Sequence, residues 1–173
     1  SLLTPIVKAW STDQAVYITS LGIQVHGGMG FIEDTGAAQY FRDSRILPIY
    51  EGTNGIQALD LLKRKLFLEN GKTLEILLNK MKKDCRECKN SSINEISQIG
   101  KIFDTSIESL ENGVKWLKEE LNQDPENAAA GATPFLNMFG WILGGWVMCK
   151  SALSTSNNKK NDLSEKFCKD KIN

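Results

Sequence analysis

The sequence has no excess of charge of either sign, because its 21 Lys and Arg residues are matched by 21 Asp and Glu residues. A chain without a net field does not favour nucleic acid or an anionic membrane surface as its partner. Proline and tyrosine are also scarce, with four and three residues. The many Leu, Ile, Lys and Glu residues beside them argue against a sandwich of short β-strands.

Histidine and cysteine are too sparse to indicate a metal site. The pair Cys85-x-x-Cys88 lies in a charged run without a second such pair, and the single histidine, His26, is far away in the sequence. This isolated spacing is more typical of a helix surface than of a zinc or redox centre, so we expect exposed thiols and no metal. Nothing in the pattern indicates secretion, and we expect reduced thiols in a cytoplasmic protein.

The sequence lacks an N-terminal signal segment and a convincing membrane span. It opens on Ser1-Leu2-Leu3-Thr4-Pro5 in mid-pattern, which indicates a cut inside a longer protein. The uncharged run of residues 127–149 contains four glycines and four alanines, which contribute little to transfer into a bilayer. We therefore expect a bundle helix there, buried on most sides, and no membrane span.

Apolar residues recur at helical spacing along most of the chain, and no strand-like alternation is present. The predicted helices are 4–22, 35–41, 56–68, 73–89, 93–121 and 127–153. The expected caps are Thr4 for the first helix, Asp34 or Thr35 for the second, and Thr53 or Asn54 for the third. The predicted fold class is all-α, a bundle of up-and-down helices.

We divide the sequence into three parts by its motifs and composition. Residues 1–70 carry two glycine-rich motifs, and residues 71–155 add further C-terminal helices. Ser, Asn and Lys dominate residues 156–173, which predicts a flexible tail.

The first motif spans Gln24 to Gly30 and has three glycines within four residues, which predicts a loop rather than a regular helix. Its backbone N–H groups are unshielded by side chains, as a phosphate or pyrophosphate would need. A tight turn between two helices is an equally good interpretation, because the dinucleotide fingerprint is absent.

The second motif places a carboxylate, Glu51, on a turn before a helix and beside Ile49 and Tyr50. Apolar and aromatic neighbours make a carboxylate more basic, as removal of a proton from carbon requires. A glutamate at a helix start is, however, more often a favourable partner of the helix dipole. The chemistry of the residue alone leaves both interpretations open.

Together the two motifs match Q-x-x-G-G-x-G and R-D-x-x-x-x-x-I-Y-E-G-T in order and spacing, at residues 24–30 and 42–53. In this respect residues 1–70 resemble the C-terminal helical domain of flavin-dependent acyl-CoA dehydrogenases. Residues 71–155 resemble, more loosely, the extra helical region of a bacterial subgroup that includes long-chain-type enzymes and 3-methylmercaptopropionyl-CoA dehydrogenases.

The resemblance implies that Glu51 is the catalytic base, which removes the α proton of the thioester while hydride leaves the β carbon for flavin N5. Gly52 and Tyr50 match substrate-binding positions, and the backbone N–H of the base helps to polarise the thioester carbonyl. The positions that match FAD contacts are Thr53, Asn54, Gly55 and, in the turn that reaches a neighbouring subunit, Gln24, Val25, His26, Gly27 and Gly28. Gly55 stands where a Gln is commoner, so we expect only a backbone contact there.

The resemblance further implies oxidation of an acyl-CoA to a trans-2-enoyl-CoA in fatty acid β-oxidation, with electron-transfer flavoprotein as electron acceptor and a homo-oligomeric assembly. The family's N-terminal helical domain and middle β domain are not in the 173 residues. We therefore expect weak or no FAD binding and no activity from this chain alone. Arg42 and Asp43 are interpreted as a structural ion pair at a helix end.

Three functional interpretations follow. The chain is the C-terminal portion of an acyl-CoA dehydrogenase, or a non-catalytic helical oligomerisation module left from a split or decayed gene, or a generic helical scaffold. The intact motifs argue against the scaffold, and the sequence leaves the first two open.

Overall fold

The computed structural model describes residues 1–157, and every regular element in this range is helical. The α-helices are α1 (Thr4–His26), α2 (Gly28–Phe31), α3 (Ala37–Ser44), α4 (Asn54–Asp60), α5 (Lys72–Lys89), α6 (Asn94–Gln123) and α7 (Pro125–Asn157). Short helical turns lie at Glu33–Thr35 and Leu61–Lys65, and Leu68–Gly71 is a turn in which Glu69 and Asn70 have a left-handed backbone. No strand occurs among these 157 residues, and the all-α fold class is confirmed.

The first helix is longer than predicted. It continues past Gly22 to His26 and stops at Gly27, whose φ of 61° is left-handed. A glycine inside a helix costs only about 1 kcal/mol, and α1 packs against α2, α3 and α4 along its length. Pro5 lies in the first turn as expected, but Leu3 precedes the helix and the predicted cap by Thr4 is wrong.

The helices that flank the Glu51 turn begin in different ways. Gly36, with a φ of 75°, precedes α3, so the predicted caps Asp34 and Thr35 are wrong. Both of those residues lie in the preceding helical turn. The cap of α4 was predicted correctly, because the Thr53 hydroxyl accepts a hydrogen bond of 3.4 Å from the Ile56 amide.

The described chain forms two compact units. Residues 1–66 and 120–137 make up the first unit. The second contains residues 67–119 and the described residues from 138 onward. The division of the sequence at residues 70 and 155 stays a prediction about its motifs.

The core of the first unit is aliphatic and lies along the inner face of α1. Its fully buried side chains include Ile6, Ala9, Leu61, Leu62, Leu66, Ala128 and Leu136. Asp124 caps α7 in this unit, because its carboxylate accepts the Glu126 and Asn127 amides at 3.2 Å and 3.1 Å. Helix α7 therefore begins at Pro125, two residues before the predicted start of the last helix at residue 127.

The second unit buries the thiols of Cys85, Cys88 and Cys149, so the predicted exposed position of Cys85 and Cys88 is wrong. Both residues follow Leu77 and Met81 on the apolar face of α5, which the charged neighbours in the sequence obscured. Gly100 makes a close approach possible, because an added Cβ would lie 2.6 Å from the Lys89 nitrogen.

The remaining expectations concern the last helix and the tail. No helix among residues 1–157 is both long and apolar enough to cross a membrane. Ser156 and Asn157 still belong to α7. The rest of the predicted tail, residues 158–173, lies outside the described residues.

Candidate functional site

Glu51 lies on an exposed turn between α3 and α4, and its backbone is left-handed. Glu51 has a φ of 55° and the following Gly52 a φ of 84°. Glycine adopts such a φ freely, whereas a residue with a Cβ pays about 1–3 kcal/mol. Surrounding contacts must therefore hold Glu51 in this conformation.

Lys8 of α1 makes the longest-range contacts to this turn. Its Nζ donates to the Gly52 carbonyl oxygen and to Asn54 Oδ1, each at 2.8 Å. Two further bonds close the turn locally: Gln57 Nε2 donates to the Glu51 carbonyl oxygen at 3.2 Å, and the Asn54 amide donates to the Pro48 carbonyl oxygen at 3.1 Å. The first residues of α4 and the Glu51 turn are thereby attached to α1.

The side chain of Asn54 faces α1. Its Nδ2 donates to the Ala9 carbonyl oxygen at 3.1 Å, to Thr12 Oγ1 at 3.0 Å and to Asp13 Oδ1 at 2.7 Å. A cofactor contact from Asn54 would therefore come from its backbone.

The sequence analysis missed the residues of α1 that hold the turn. Lys8 and Thr12 are four residues apart, with Asp13 next to them, so they form one polar patch on a helix of otherwise apolar character. This patch was the available signal, and its long-range partners could not be read from spacing alone.

Three apolar residues within five positions of Glu51 in the sequence have exposed side chains. Ile49, Tyr50 and Ile56 are 50%, 46% and 56% exposed. These exposed apolar side chains can contact an apolar partner close to the Glu51 turn.

The glycine motif lies at the C-terminal end of α1 rather than in a long loop. Gln24, Val25 and His26 form the last helical turn, and the Gly27 amide donates to the Gln24 carbonyl oxygen at 3.1 Å. The prediction that no helix forms here is wrong for these residues and for the four-residue α2, although Gly27 does break the chain direction. All five predicted cofactor residues, Gln24 to Gly28, are exposed.

The structure holds the Glu51 turn and the glycine motif at different positions along α1. Asn54 contacts α1 at Ala9–Asp13, whereas the glycine motif lies about 14 residues further along the same helix. A helix rises 1.5 Å per residue, so about 21 Å separates these two positions along α1. The Glu51 turn and the glycine motif are therefore two separate exposed positions of one chain.

Two of the predicted cofactor glycines have open space beside them. A Cβ built on Gly28 or Gly55 meets no atom within 4 Å, and neither residue has a left-handed φ. Neither packing nor backbone conformation in the described residues requires glycine there. This open space leaves room at both positions for the close approach of a ligand or of another chain. It does not distinguish them from Gly22, which has the same open space and was not predicted to bind a cofactor.

Arg42 pairs with Glu33 rather than with the predicted Asp43. The Arg42 guanidinium donates to both carboxylate oxygens of Glu33, at 2.8 Å and 3.3 Å. This hydrogen-bonded pair lowers the pKa of Glu33 and raises that of Arg42. Both side chains are exposed, so the pair serves to attach α3 to the preceding helical turn and adds little stability.

Two family models match the chain. Residues 1–66 match "Acyl-CoA dehydrogenase, C-terminal domain", and residues 77–173 match "Acetyl-CoA dehydrogenase C-terminal like". Both predicted parts of the sequence, the motif-bearing part and the helical extension, are thus covered by models of one enzyme family.

Curated relatives agree with the family models. A 3-methylmercaptopropionyl-CoA dehydrogenase from Ruegeria pomeroyi is 41% identical over 152 residues, which cover 88% of this chain and 26% of the relative. Acyl-CoA dehydrogenase family member 11 from Caenorhabditis elegans is 33% identical over 76% of this chain and 20% of its own length. A broad-specificity linear acyl-CoA dehydrogenase from Mycobacterium tuberculosis is 27% identical, over 87% of this chain and 25% of the relative. The chain spans about a quarter of the length of these relatives.

Proposed function

Because this chain belongs to the acyl-CoA dehydrogenase family, we propose that Glu51 is the base that removes the α proton of an acyl-CoA thioester. The chain contributes this base and part of a flavin site to a dehydrogenase that forms trans-2-enoyl-CoA. Fatty acid β-oxidation uses this reaction, and electron-transfer flavoprotein is the proposed electron acceptor.

The observation that carries the proposal is the position of Glu51. Its carboxylate is exposed on a turn that Lys8 and Gln57 hold through the carbonyl oxygens of Gly52 and Glu51. A carboxylate attached to a fixed turn keeps its place while the α carbon approaches, which a base for a weak carbon acid needs. A glutamate that only caps a helix would not need a left-handed backbone.

Tyr50 and Gly52 are the proposed substrate contacts, because they flank the base. Gly52 has no side chain to separate its backbone from a thioester, and the half-exposed ring of Tyr50 offers an apolar surface. The Glu51 N–H is the proposed donor to the thioester carbonyl, which makes the α proton more acidic.

FAD, when bound, accepts the hydride that leaves the β carbon. Thr53, Asn54 and Gly55 would hold it on the side of the base through backbone groups. Gln24, Val25, His26, Gly27 and Gly28 would hold the flavin of a neighbouring copy. In one chain they lie about 21 Å along α1 from the place where Asn54 contacts this helix.

We propose only the chemical class of the substrate and not a particular acyl group. The relatives named above act on linear acyl groups or on 3-methylmercaptopropionyl-CoA according to their names. Their common element is a CoA thioester with a hydrogen on both the α and the β carbon, and the chemistry proposed for Glu51 needs only this element.

The test uses a hybrid dehydrogenase, in which this chain replaces the matching quarter of the Ruegeria pomeroyi relative. Glu51→Gln keeps the shape of the side chain and removes the proton acceptor. We expect flavin reduction by the acyl-CoA to slow at least about 10²–10⁴-fold in stopped flow, with unchanged flavin content. Glu33→Gln is the control at an exposed glutamate, and a normal rate in Glu51→Gln would disprove the proposal.

A second candidate role is self-association without catalysis. Ile18, Leu21 and Val25 follow one another at helical spacing on α1 and are 61%, 45% and 85% exposed. A continuous apolar stripe of this kind favours a covering partner, most simply a second copy related by a two-fold axis. The same stripe runs towards the glycine motif, so association and a shared flavin site are compatible.

A further inference from the structure

We propose that Lys8 is a positioning residue for the Glu51 turn, and this inference rests on the proposed role of Glu51 as the base. Its ammonium group fixes the left-handed backbone from which the Glu51 side chain extends. Lys8 touches neither the acyl group nor the carboxylate in this proposal, and it acts through the backbone of Gly52.

The contacts of Lys8 are short and converge on the turn. Nζ lies 2.8 Å from the Gly52 carbonyl oxygen and 2.8 Å from Asn54 Oδ1, and these acceptors are 44 and 46 residues away in the sequence. The lysine is half-buried, so water competes less for its donors than at a fully exposed side chain. Hydrogen bonds from a charged donor are about twice as strong as neutral ones.

Lys8 is the one charged donor among the hydrogen bonds that the structure describes for residues 48–57. The other charged contact, from Asn54 Nδ2 to the Asp13 carboxylate, does not involve Glu51 or Gly52. The bonds from Gln57 Nε2 to the Glu51 carbonyl oxygen and from the Asn54 amide to the Pro48 carbonyl oxygen are neutral and span only six residues. They close the turn on itself. Lys8 alone of these donors attaches the Gly52 carbonyl group to α1.

Asn54 completes the arrangement, because its amide has one possible orientation. Lys8 offers only donors and the Asp13 carboxylate only acceptors, so Oδ1 must face Lys8 and Nδ2 must face Asp13. The hydrogen bond of 2.7 Å from Asn54 Nδ2 to Asp13 therefore orients the Asn54 amide so that its Oδ1 faces the Lys8 ammonium group. Lys8, Asn54 and Asp13 form a chain of alternating donors and acceptors beneath the turn.

The test compares three variants of this chain by NMR. Lys8→Met removes the charge and the donors, Lys8→Arg keeps both, and Lys63→Met makes the same change at an exposed lysine. A left-handed residue gives a strong cross-peak between its own amide and α protons. We expect Lys8→Met to lose this peak at Glu51 and to speed amide exchange at Asn54 and Gln57 about tenfold or more. Lys8→Arg should restore part of both signals, and Lys63→Met should change neither.

The kinetic arm uses the hybrid dehydrogenase with the same variants. A displaced base affects the chemical step, so Lys8→Met should lower kcat about 10- to 10²-fold and leave KM nearly unchanged. Lys8→Arg should recover part of kcat. A purely structural role would lower the amount of folded, flavin-containing enzyme and leave kcat per bound flavin unchanged.

Two results would overturn the inference. The Glu51 cross-peak and the exchange rates could remain unchanged in Lys8→Met, or the turn could loosen without any loss of kcat. If Lys8→Met fails to fold, Lys8→Gln replaces it, because glutamine keeps a neutral donor. The Glu51 cross-peak and the amide exchange rates are then measured in Lys8→Gln. A normal rate in Glu51→Gln would instead defeat the proposed function, and the NMR arm would still decide whether Lys8 fixes the turn.

Discussion

The hydroxyl oxygens of Thr19 and Ser44 lie 2.9 Å apart and join the middle of α1 to the last residue of α3. Ser44 is the only buried polar residue of the described chain, with 6% of its surface exposed. Its hydroxyl also donates to the Phe41 carbonyl oxygen at 2.7 Å. The chain therefore leaves α3 from a fixed point on α1 before it reaches Glu51.

Replacing Ser44 tests this junction. Ser44→Ala removes the acceptor of Thr19 across the two helices, and the Thr19 hydroxyl can then donate its one proton to the Ala15 carbonyl oxygen 2.8 Å away. We expect a loss of about 1 kcal/mol in the free energy of unfolding, measured in urea. Ser20→Ala, at an exposed position of α1, is the control and should stay within about 0.5 kcal/mol of the parent. Equal free energies of unfolding for Ser44→Ala and Ser20→Ala would show that the contact between Thr19 and Ser44 does not stabilise the fold.

Gly52 and Gly55 form a matched pair three residues apart. Gly52 has a φ of 84°, and an added Cβ would lie 3.0 Å from Gln57 Nε2, whereas a Cβ at Gly55 meets no atom within 4 Å. Gly52→Ala should cost about 1–2 kcal/mol in thermal or urea unfolding. Gly55→Ala lies in the first turn of α4 and should be neutral or stabilising. A larger loss of stability in Gly55→Ala than in Gly52→Ala would disprove the left-handed backbone at Gly52.

Alanine substitutions at Gly27 and Gly28 distinguish a glycine that the fold requires from one that flavin binding is proposed to require. Gly27→Ala places a Cβ on a residue with a φ of 61° and should lower the melting temperature. Gly28→Ala meets open space in this chain and should leave the melting temperature unchanged. In the hybrid dehydrogenase, however, we expect Gly28→Ala to weaken FAD retention during gel filtration. Full retention would argue against a flavin contact at Gly28.

The purified chain should associate with itself and should not retain flavin. We expect sedimentation at micromolar concentration to show a dimer or a larger species, and the preparation to be colourless. Ile18→Lys combined with Val25→Lys places two charges on the exposed stripe of α1 and should shift the chain towards monomer. Lys63→Glu is the control. A parent chain that sediments as a monomer would contradict the predicted self-association. A yellow preparation with one FAD per chain would contradict the prediction that this chain alone does not retain flavin.

The buried thiols predict a loss of stability at alkaline pH. Burial raises the pKa of Cys85 from 9.0 to about 11 and that of Cys149 to about 12. Above pH 9 the unfolded chain releases protons that the folded chain retains, so the free energy of unfolding should fall as the pH rises towards 11. Urea unfolding between pH 8 and pH 10.5 measures this slope. The same thiols should resist alkylation at pH 8 until urea is added.

Removing one thiol supplies the control for that slope. Cys85→Ala should be less stable at pH 8 because it leaves a small cavity, yet its stability should fall less steeply with pH than that of the parent. Parallel slopes in the two proteins would show that Cys85 does not titrate in the unfolding equilibrium.

Helical periodicity predicted most of the fold, because it reflects burial that repeats along one helix. Most apolar positions of α5 and α6 are buried at helical spacing, among them Leu74, Leu77, Met81, Ile107, Leu110 and Leu117, whereas Ile76, Ile102 and Trp116 are exposed. Local chemistry was also sufficient at Thr53, whose hydroxyl caps α4 as predicted. Both signals act over a few residues, and a sequence displays them directly.

The errors arose where tertiary contacts outweigh local preference. Gly22 was expected to end α1, but packing against three helices carries the helix on to His26. Charged neighbours suggested that Cys85 was exposed, whereas its place on the apolar face of α5 buries it. Lys8 was not recognised at all, because its partner Gly52 is 44 residues away and no local rule connects them.

Helix α1 runs without interruption from the contacts of the Glu51 turn to the glycine motif, and this limits how the length of the segment can vary. Each helical residue adds 1.5 Å of length and is rotated by about 100° about the helix axis relative to the residue before it. One inserted residue between Asp13 and Gln24 would swing the glycine motif to a different side of the helix while the Glu51 turn stayed in place. Seven inserted residues complete nearly two full turns and keep the angular phase within about 20°, but they move the motif about 10 Å further away. Substitutions along this stretch are therefore far easier to accommodate than any change in the number of its residues.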